Sequence, residues 1–247
     1  MNIYGLPDFY MIARYRYLTE ELSKLPKVSK GHHCGKDVYR IIIDGEKHCY
    51  GADTKKGSGL GKIYQKRSKM ESSIKTLLSS FDGDLRSVSK EYSILMRSDA
   101  ILDGDFYRRA NENASPYKND YIYELKGIRY RSRGEMMIAQ VLTDMGLEFK
   151  YECPISCGDR CYSADFLIYL PEFNRCFILE YLGRLDDEEY IMKNSRKIRD
   201  YLLKGLYFGR DMVFLCGDRY ATPTAEQIWS AVYGIIRHIS AEHLVLN

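Results

Sequence analysis

Cys161-Tyr-Ser-Ala-Asp-Phe-Leu-Ile-Tyr-Leu170, Pro171-Glu-Phe-Asn174 and Arg175-Cys-Phe-Ile-Leu-Glu-Tyr-Leu-Gly183 follow one another without a break, and their reading decides the fold. The first and third segments are apolar, aromatic-rich and bounded by turn residues, the pattern of β-strands. The second is a four-residue turn. Pairing Leu170 with Arg175 sets Tyr169 against Cys176 and Asp165 against Glu180. Directly opposed residues on one face of a sheet have Cβ atoms roughly 4.5–5.5 Å apart. Two carboxylates there repel, and the arrangement costs stability unless a cation or a proton neutralises it. Hard divalent metals such as Mg²⁺ take oxygen ligands of this kind. A slipped register, or two acids at a wet sheet edge, is the other reading.

Outward from this hairpin the second half of the chain has a clear order of elements. Residues 132–145 read as a helix with Met137, Ile138, Val141, Leu142 and Met145 on one face, ended by Gly146. Leu147-Glu-Phe-Lys-Tyr-Glu152 alternates like a strand, and the two hairpin strands follow. Residues 187–204 read as a helix closed by Gly205, 212–216 as a buried strand and 224–239 as a last helix. A strand reached through a helical crossover predicts an α/β (α+β) fold with a mixed central sheet flanked by helices.

The first half reads as a separate, mostly helical module with one hairpin, over about 1–115, ahead of a domain at 120–247. A helix is expected over 8–24. Val38–Ile43 and Glu46–Tyr50 flank Asp44-Gly45, a strong type I′ turn signal. Gly57-Ser-Gly-Leu-Gly61 reads as a break, with helices from about 60 to 80 and 85 to 96 beyond it, and 108–120 as the linker. Lys62, Lys66 and Lys69 fall on one helix face beside Tyr64, a stripe that can neutralise phosphates or simply face water.

Bulk properties bound the rest. The 247 residues carry a net charge of +3 and no eighteen-residue apolar run, so no membrane span is expected. The N-terminus lacks a basic stretch followed by an apolar one. Seven scattered cysteines suit a reduced, cytoplasmic protein. Cys153, Cys157 and Cys161 offer three thiols but no evident fourth ligand, so unligated cysteines are expected.

Taken together, these residues resemble the PD-(D/E)XK nuclease-like superfamily, with its restriction-endonuclease-like αβββαβ core. The resemblance lies in Ser163-Ala-Asp-Phe166, Ile178-Leu-Glu-Tyr-Leu-Gly183 and Arg131-Ser-Arg-Gly-Glu135, and it covers roughly 121–218. It implies that Asp165 and Glu180, with Glu135, hold Mg²⁺ or Mn²⁺. It implies hydrolysis of phosphodiester bonds in nucleic acid, DNA first among the substrates. The family places a lysine two residues after its second acid, and here Leu182 stands instead. Many members carry that lysine on the following helix. Lys197 lies at such a place, between Tyr190 and Tyr201 around the helix axis and beside the apolar stripe of Ile191, Ile198 and Leu202. It can equally be a surface lysine with its stem on apolar ground.

In that implied scheme Lys197 orients water or stabilises transition-state charge, while Arg131 and Arg133 grip flanking phosphates. Glu135 has a second explanation, since Ser132-Arg-Gly-Glu135 is a capping-box pattern. The alternative to an enzyme is a nuclease-like fold without catalysis, used as a nucleic-acid-binding or assembly module. The oligomeric state is left open, a homodimer among the options.

Overall fold

The computed structural model describes residues 8–96, 100–112, 122–218 and 220–247. The chain divides into two compact units, Met11–Tyr92 and the remainder, Met1–Tyr10 with Ser93–Asn247. Among the described residues no helix is long and apolar enough to cross a membrane.

The smaller unit takes α1 (Asp8–Lys24) from Met11 onward, then β1 (Val28–His33), β2 (Lys36–Ile43), β3 (Glu46–Gly51), α2 (Lys55–Ser80) and α3 (Leu85–Val88). The three strands form one antiparallel sheet. The Asp44-Gly45 hairpin is present, with Ile43 opposite Glu46 and both turn residues at positive φ, 50° and 84°. A second turn of this kind at Cys34-Gly35 creates β1, which the polar, His-rich sequence did not announce. Three differences from expectation have physical causes.

First, α2 begins at Lys55, because Thr54 Oγ1 accepts the Gly57 N–H at 3.0 Å and caps it. The glycines there do not break the helix. They let it approach the sheet: a Cβ on Gly57 would sit 1.8 Å from the Gly51 carbonyl oxygen, and one on Gly61 2.9 Å from the Tyr39 ring. Second, the expected helix over 85–96 is only α3, a 3₁₀ turn at Ser89–Glu91 and strand β4 (Tyr92–Ile94). The chain is drawn straight there, and Leu95 N–H donates to the His243 carbonyl at 2.7 Å. Third, the division falls at Tyr92, earlier than the polar stretch 108–120. Helix α4 (Gly104–Arg109), capped by Asp103, belongs to the larger unit. Lys150 Nζ ties its end down by donating to the Tyr107 and Ala110 carbonyls at 2.8 and 2.7 Å. Residues 113–120 of the expected linker lie outside the described residues.

The larger unit continues with β5 (Tyr123–Leu125) and β6 (Ile128–Tyr130), a small hairpin turned at Lys126-Gly127, then α5 (Arg133–Asp144), β7 (Glu148–Cys157), β8 (Arg160–Leu170), β9 (Arg175–Leu182), α6 (Glu188–Leu203), β10 (Met212–Cys216), α7 (Ala225–His243) and β11 (Leu244–Leu246). It is a mixed α/β architecture. The main sheet has the order β10-β9-β8-β7, with β9 antiparallel to β8 and parallel to β10. Strand β9 lies between two neighbours and is buried from Arg175 to Tyr181, as its unbroken apolar sequence requires. Helix α5 packs on α7, α7 along β10, and α6 against β7.

Strand β7 runs on through Cys153-Pro-Ile-Ser-Cys157 to a two-residue turn at Gly158-Asp159. Cys153 and Cys157 are buried in the core with Ile155, Leu167, Ile178 and Tyr201, while Cys161 is exposed. The cysteine spacing is therefore strand alternation, and all seven thiols are free.

Candidate active site

The expected hairpin register is observed. Leu170 pairs with Arg175, Tyr169 with Cys176 and Phe166 with Leu179. One step further, where Asp165 would meet Glu180, the ladder stops. The same thing happens on the other side of β8: the pairs resume around Glu152, which is skipped and stands at a φ of 52°. Around this point the packing also changes face. Tyr151 and Phe166 pack with Tyr130, ring centroids 4.8 and 6.4 Å from it. Cys153 and Ala164 instead join the cluster of Leu167, Cys176 and Ile178. In a regular strand Tyr151 and Cys153 would share one face. Asp165 thus sits where the sheet opens, freed from strict alternation. Its Oδ2 accepts the Tyr181 backbone N–H at 2.7 Å.

Glu180, 2% exposed, lies at the centre of the sheet. One carboxylate oxygen accepts the Lys197 ammonium at 2.6 Å and the other the Tyr201 hydroxyl at 2.9 Å. Lys197 also donates to the Ser163 carbonyl at 2.6 Å, so it spans β8 and β9 from above. Helix α6 turns a face of Tyr190, Asn194, Lys197 and Tyr201 to the sheet, while Ile191 and Leu202 are exposed. Of the apolar stripe beside Lys197, Ile198 alone is half-buried. A buried carboxylate has chosen the register, because an unpaired charge at Glu180 costs more than two half-wet aliphatic side chains. Lys193, one turn earlier, is exposed, and Leu182 is only partly buried at the end of β9.

The electrostatics follow from this crowding. Burial pushes the Glu180 carboxyl up to about 7, against the pull of Lys197 and with help from Asp165. Burial alone would lower Lys197, but Glu180 and Asp165 outweigh it and hold the ammonium above its ordinary value. Glu135 is also pushed up to about 7, by burial and then by the Asp165 charge. Its Oε2 accepts the Ser132 N–H at 2.9 Å, the Arg131 N–H at 3.0 Å and the Tyr151 hydroxyl at 2.8 Å. The capping box is complete. Glu135 therefore folds over its own helix end while remaining within the field of Asp165.

Arg131 pairs with Glu152 at 3.2 Å. Arg131 and Arg133 both line a cleft of about 420 Å³ beside the carboxylates, with Glu135, Tyr181 and Tyr190. The structure thus brings together Asp165, Glu180 and Lys197, and places Glu135, Arg131 and Arg133 at their border. Lys62, Lys66 and Lys69 are exposed on α2, in the other unit. Sequence reasoning did not assign the Tyr201 hydroxyl to Glu180, although its position four residues after Lys197 put it on the same helix face.

Among the described residues, no group of three or more His, Cys, Asp or Glu side chains is arranged as a metal cage. Both Glu180 oxygens are held by Lys197 and Tyr201, Asp165 Oδ2 by the Tyr181 amide and Glu135 Oε2 by the helix cap. The donor set itself suits a hard cation: all oxygen, with two carboxyls pushed towards protonation by burial first and by the Asp165 charge after it. Comparison with protein-family models, with curated proteins and with solved structures finds no match for this chain.

Proposed function

We propose that the larger unit is a metal-dependent nuclease of the restriction-endonuclease-like kind, hydrolysing phosphodiester bonds in DNA. One observation carries the reading: Lys197 Nζ lies 2.6 Å from Glu180, where α6 would supply the lysine missing at Leu182. Asp165 and Glu180 would hold Mg²⁺ or Mn²⁺, with Glu135 at their border. When bound, the ion would supply Lewis-acid polarisation of the phosphoryl oxygen and make water a stronger acid.

The chain's own groups have separable tasks. Tyr201 holds the Glu180 carboxylate through a hydrogen bond of 2.9 Å. The Lys197 ammonium stands beside the carboxylate that would hold the ion, 2.6 Å from Glu180 Oε2. There it can orient the attacking water or neutralise charge growing on the phosphate. The Tyr181 amide fixes Asp165. Arg131 and Arg133, at the mouth of the neighbouring cleft, offer guanidinium forks to flanking phosphates.

A second reading, a binding or assembly module without catalysis, is favoured by a different observation. Both Glu180 oxygens and one of Asp165 are already hydrogen-bonded within the protein. Incubating the full chain with plasmid and with single-stranded DNA, in Mg²⁺, Mn²⁺ or EDTA, separates the two. The nuclease reading predicts cleavage that needs the metal and disappears in Asp165→Ala. Retardation of DNA without any cleavage supports the binding module and overturns the enzyme.

A further inference from the structure

The cleft beside the carboxylates has a construction of its own. Its floor is the ring of Tyr181, and three glycines from three elements make room for it. A Cβ on Gly134, in the first turn of α5, would sit 2.4 Å from the ring. One on Gly183, just past β9, would sit 2.6 Å from it, and one on Gly217, just past β10, 2.8 Å from its hydroxyl. The ring is therefore held from three sides, 7% exposed. One wall is Tyr190, whose hydroxyl donates to the Tyr181 carbonyl at 3.3 Å. The Arg184 guanidinium lies over the Tyr190 ring, 5.7 Å from its centroid. Arg133, also in the lining, stands exposed.

Resting on the nuclease reading, we propose that this cleft takes the base and sugar of one unpaired nucleotide next to the scissile phosphate. The chemistry is matched in kind. The cavity of about 420 Å³ lies within the range of about 300–1,000 Å³ usual for small-ligand sites. It admits a single unstacked nucleotide and not a stacked base pair. An aromatic face backed by a guanidinium is a platform for any base. Arg133 and Arg184 meet the phosphates beside that base. Asp218 and Thr222 in the lining offer hydrogen-bonding groups to its edge. The floor joins the reaction centre directly, because the Tyr181 amide that holds Asp165 belongs to the residue that lines the cleft. A nucleotide seated there fixes the next phosphate against the carboxylates. The substrate class is then single-stranded or locally opened DNA.

The test is a calorimetric comparison, in EDTA so that nothing is cleaved, of the full chain with single-stranded dT4 and with an abasic tetramer of the same phosphates. Charge elsewhere on the protein contributes equally to both ligands, so their affinity ratio reads the base alone. The wild-type ratio should be roughly five-fold or more, the range of one base stacked on an aromatic ring. Tyr190→Ala should bring it to about one, and Arg184→Ala should lower it, while Tyr190→Phe, which keeps the ring, retains it. A wild-type ratio near one overturns the proposal, as does a ratio unchanged in folded Tyr190→Ala. The readout needs no turnover. If the ratio behaves as expected but Mg²⁺ never gives cleavage, the nuclease reading falls and the cleft stands. If cleavage occurs with a ratio of one, the cleft falls alone.

Discussion

Among single residues, Glu180 and Lys197 form the most deeply enclosed ion pair of the site, their side chains 2% and 14% exposed. Removing one member of a buried pair leaves the other charge uncompensated, at a cost of about 3–5 kcal/mol. Lys197→Met should therefore destabilise the protein by about that much near pH 8 in urea unfolding. It should cost much less near pH 5.5, where Glu180, with its carboxyl pushed up to about 7, is neutral. An equal cost at both pH values would show that the ammonium does not answer Glu180.

The same groups set a pH dependence. Glu135 and Glu180 titrate near 7 when folded, against about 4.3 in an unfolded chain. The folded protein then keeps protons that the unfolded chain has lost. Their contribution is complete below the unfolded value and is lost as pH rises through about 7. Without metal, the wild-type Tm should fall relative to that of Glu135→Gln as pH rises from about 5 to about 8. Added Mg²⁺ should recover it most at the upper end. A wild-type Tm that climbs relative to the variant across that window contradicts the assignment.

At the scale of elements, the hairpin was legible in the sequence and the opening in it was not. Alternation and the turn at Pro171–Asn174 set the pairing of Leu170 with Arg175. Nothing local announces that the ladder lapses at Asp165, because that depends on Glu152 across the sheet adopting positive φ. Lys197 was expected between Tyr190 and Tyr201, beside the stripe of Ile191, Ile198 and Leu202, of which Ile191 and Leu202 are exposed. Periodicity counts apolar side chains and cannot count a buried carboxylate waiting on another strand. Strand β1 and the early start of α2 were missed for a related reason. Gly57 reads locally as a breaker, and only the approach of the Gly51 carbonyl gives it a packing role. Gly57→Ala tests this. It should destabilise the smaller unit by about 1–3 kcal/mol through overpacking, although alanine is the better helix former. A stabilised variant would return Gly57 to the status of a tolerated flaw.

At the scale of the whole molecule, two compact units carry different kinds of charge. The larger concentrates carboxylates around Asp165 and lines the adjoining cleft with arginines. The smaller exposes Lys62, Lys66 and Lys69 along α2. If these lysines contact phosphates, changing all three to alanine lowers the slope of log affinity for DNA against log salt by about 2–3. An unchanged slope would leave the stripe as a solvated face. The element order α5-β7-β8-β9-α6-β10 was readable because each element carries a clear apolar pattern between turn residues. The division at Tyr92 was not, since a polar stretch resembles a linker whether or not it is one.

The nuclease reading requires Lys197 to do on α6 what Leu182 cannot do on β9. Single-turnover cleavage of end-labelled DNA in Mg²⁺, comparing the wild type with Lys197→Ala, tests it most directly. The account predicts metal-dependent cleavage by the wild type and a loss of about 100-fold or more in the variant, with Mg²⁺ still bound. No cleavage by the wild type, or equal rates for the two proteins, would contradict it.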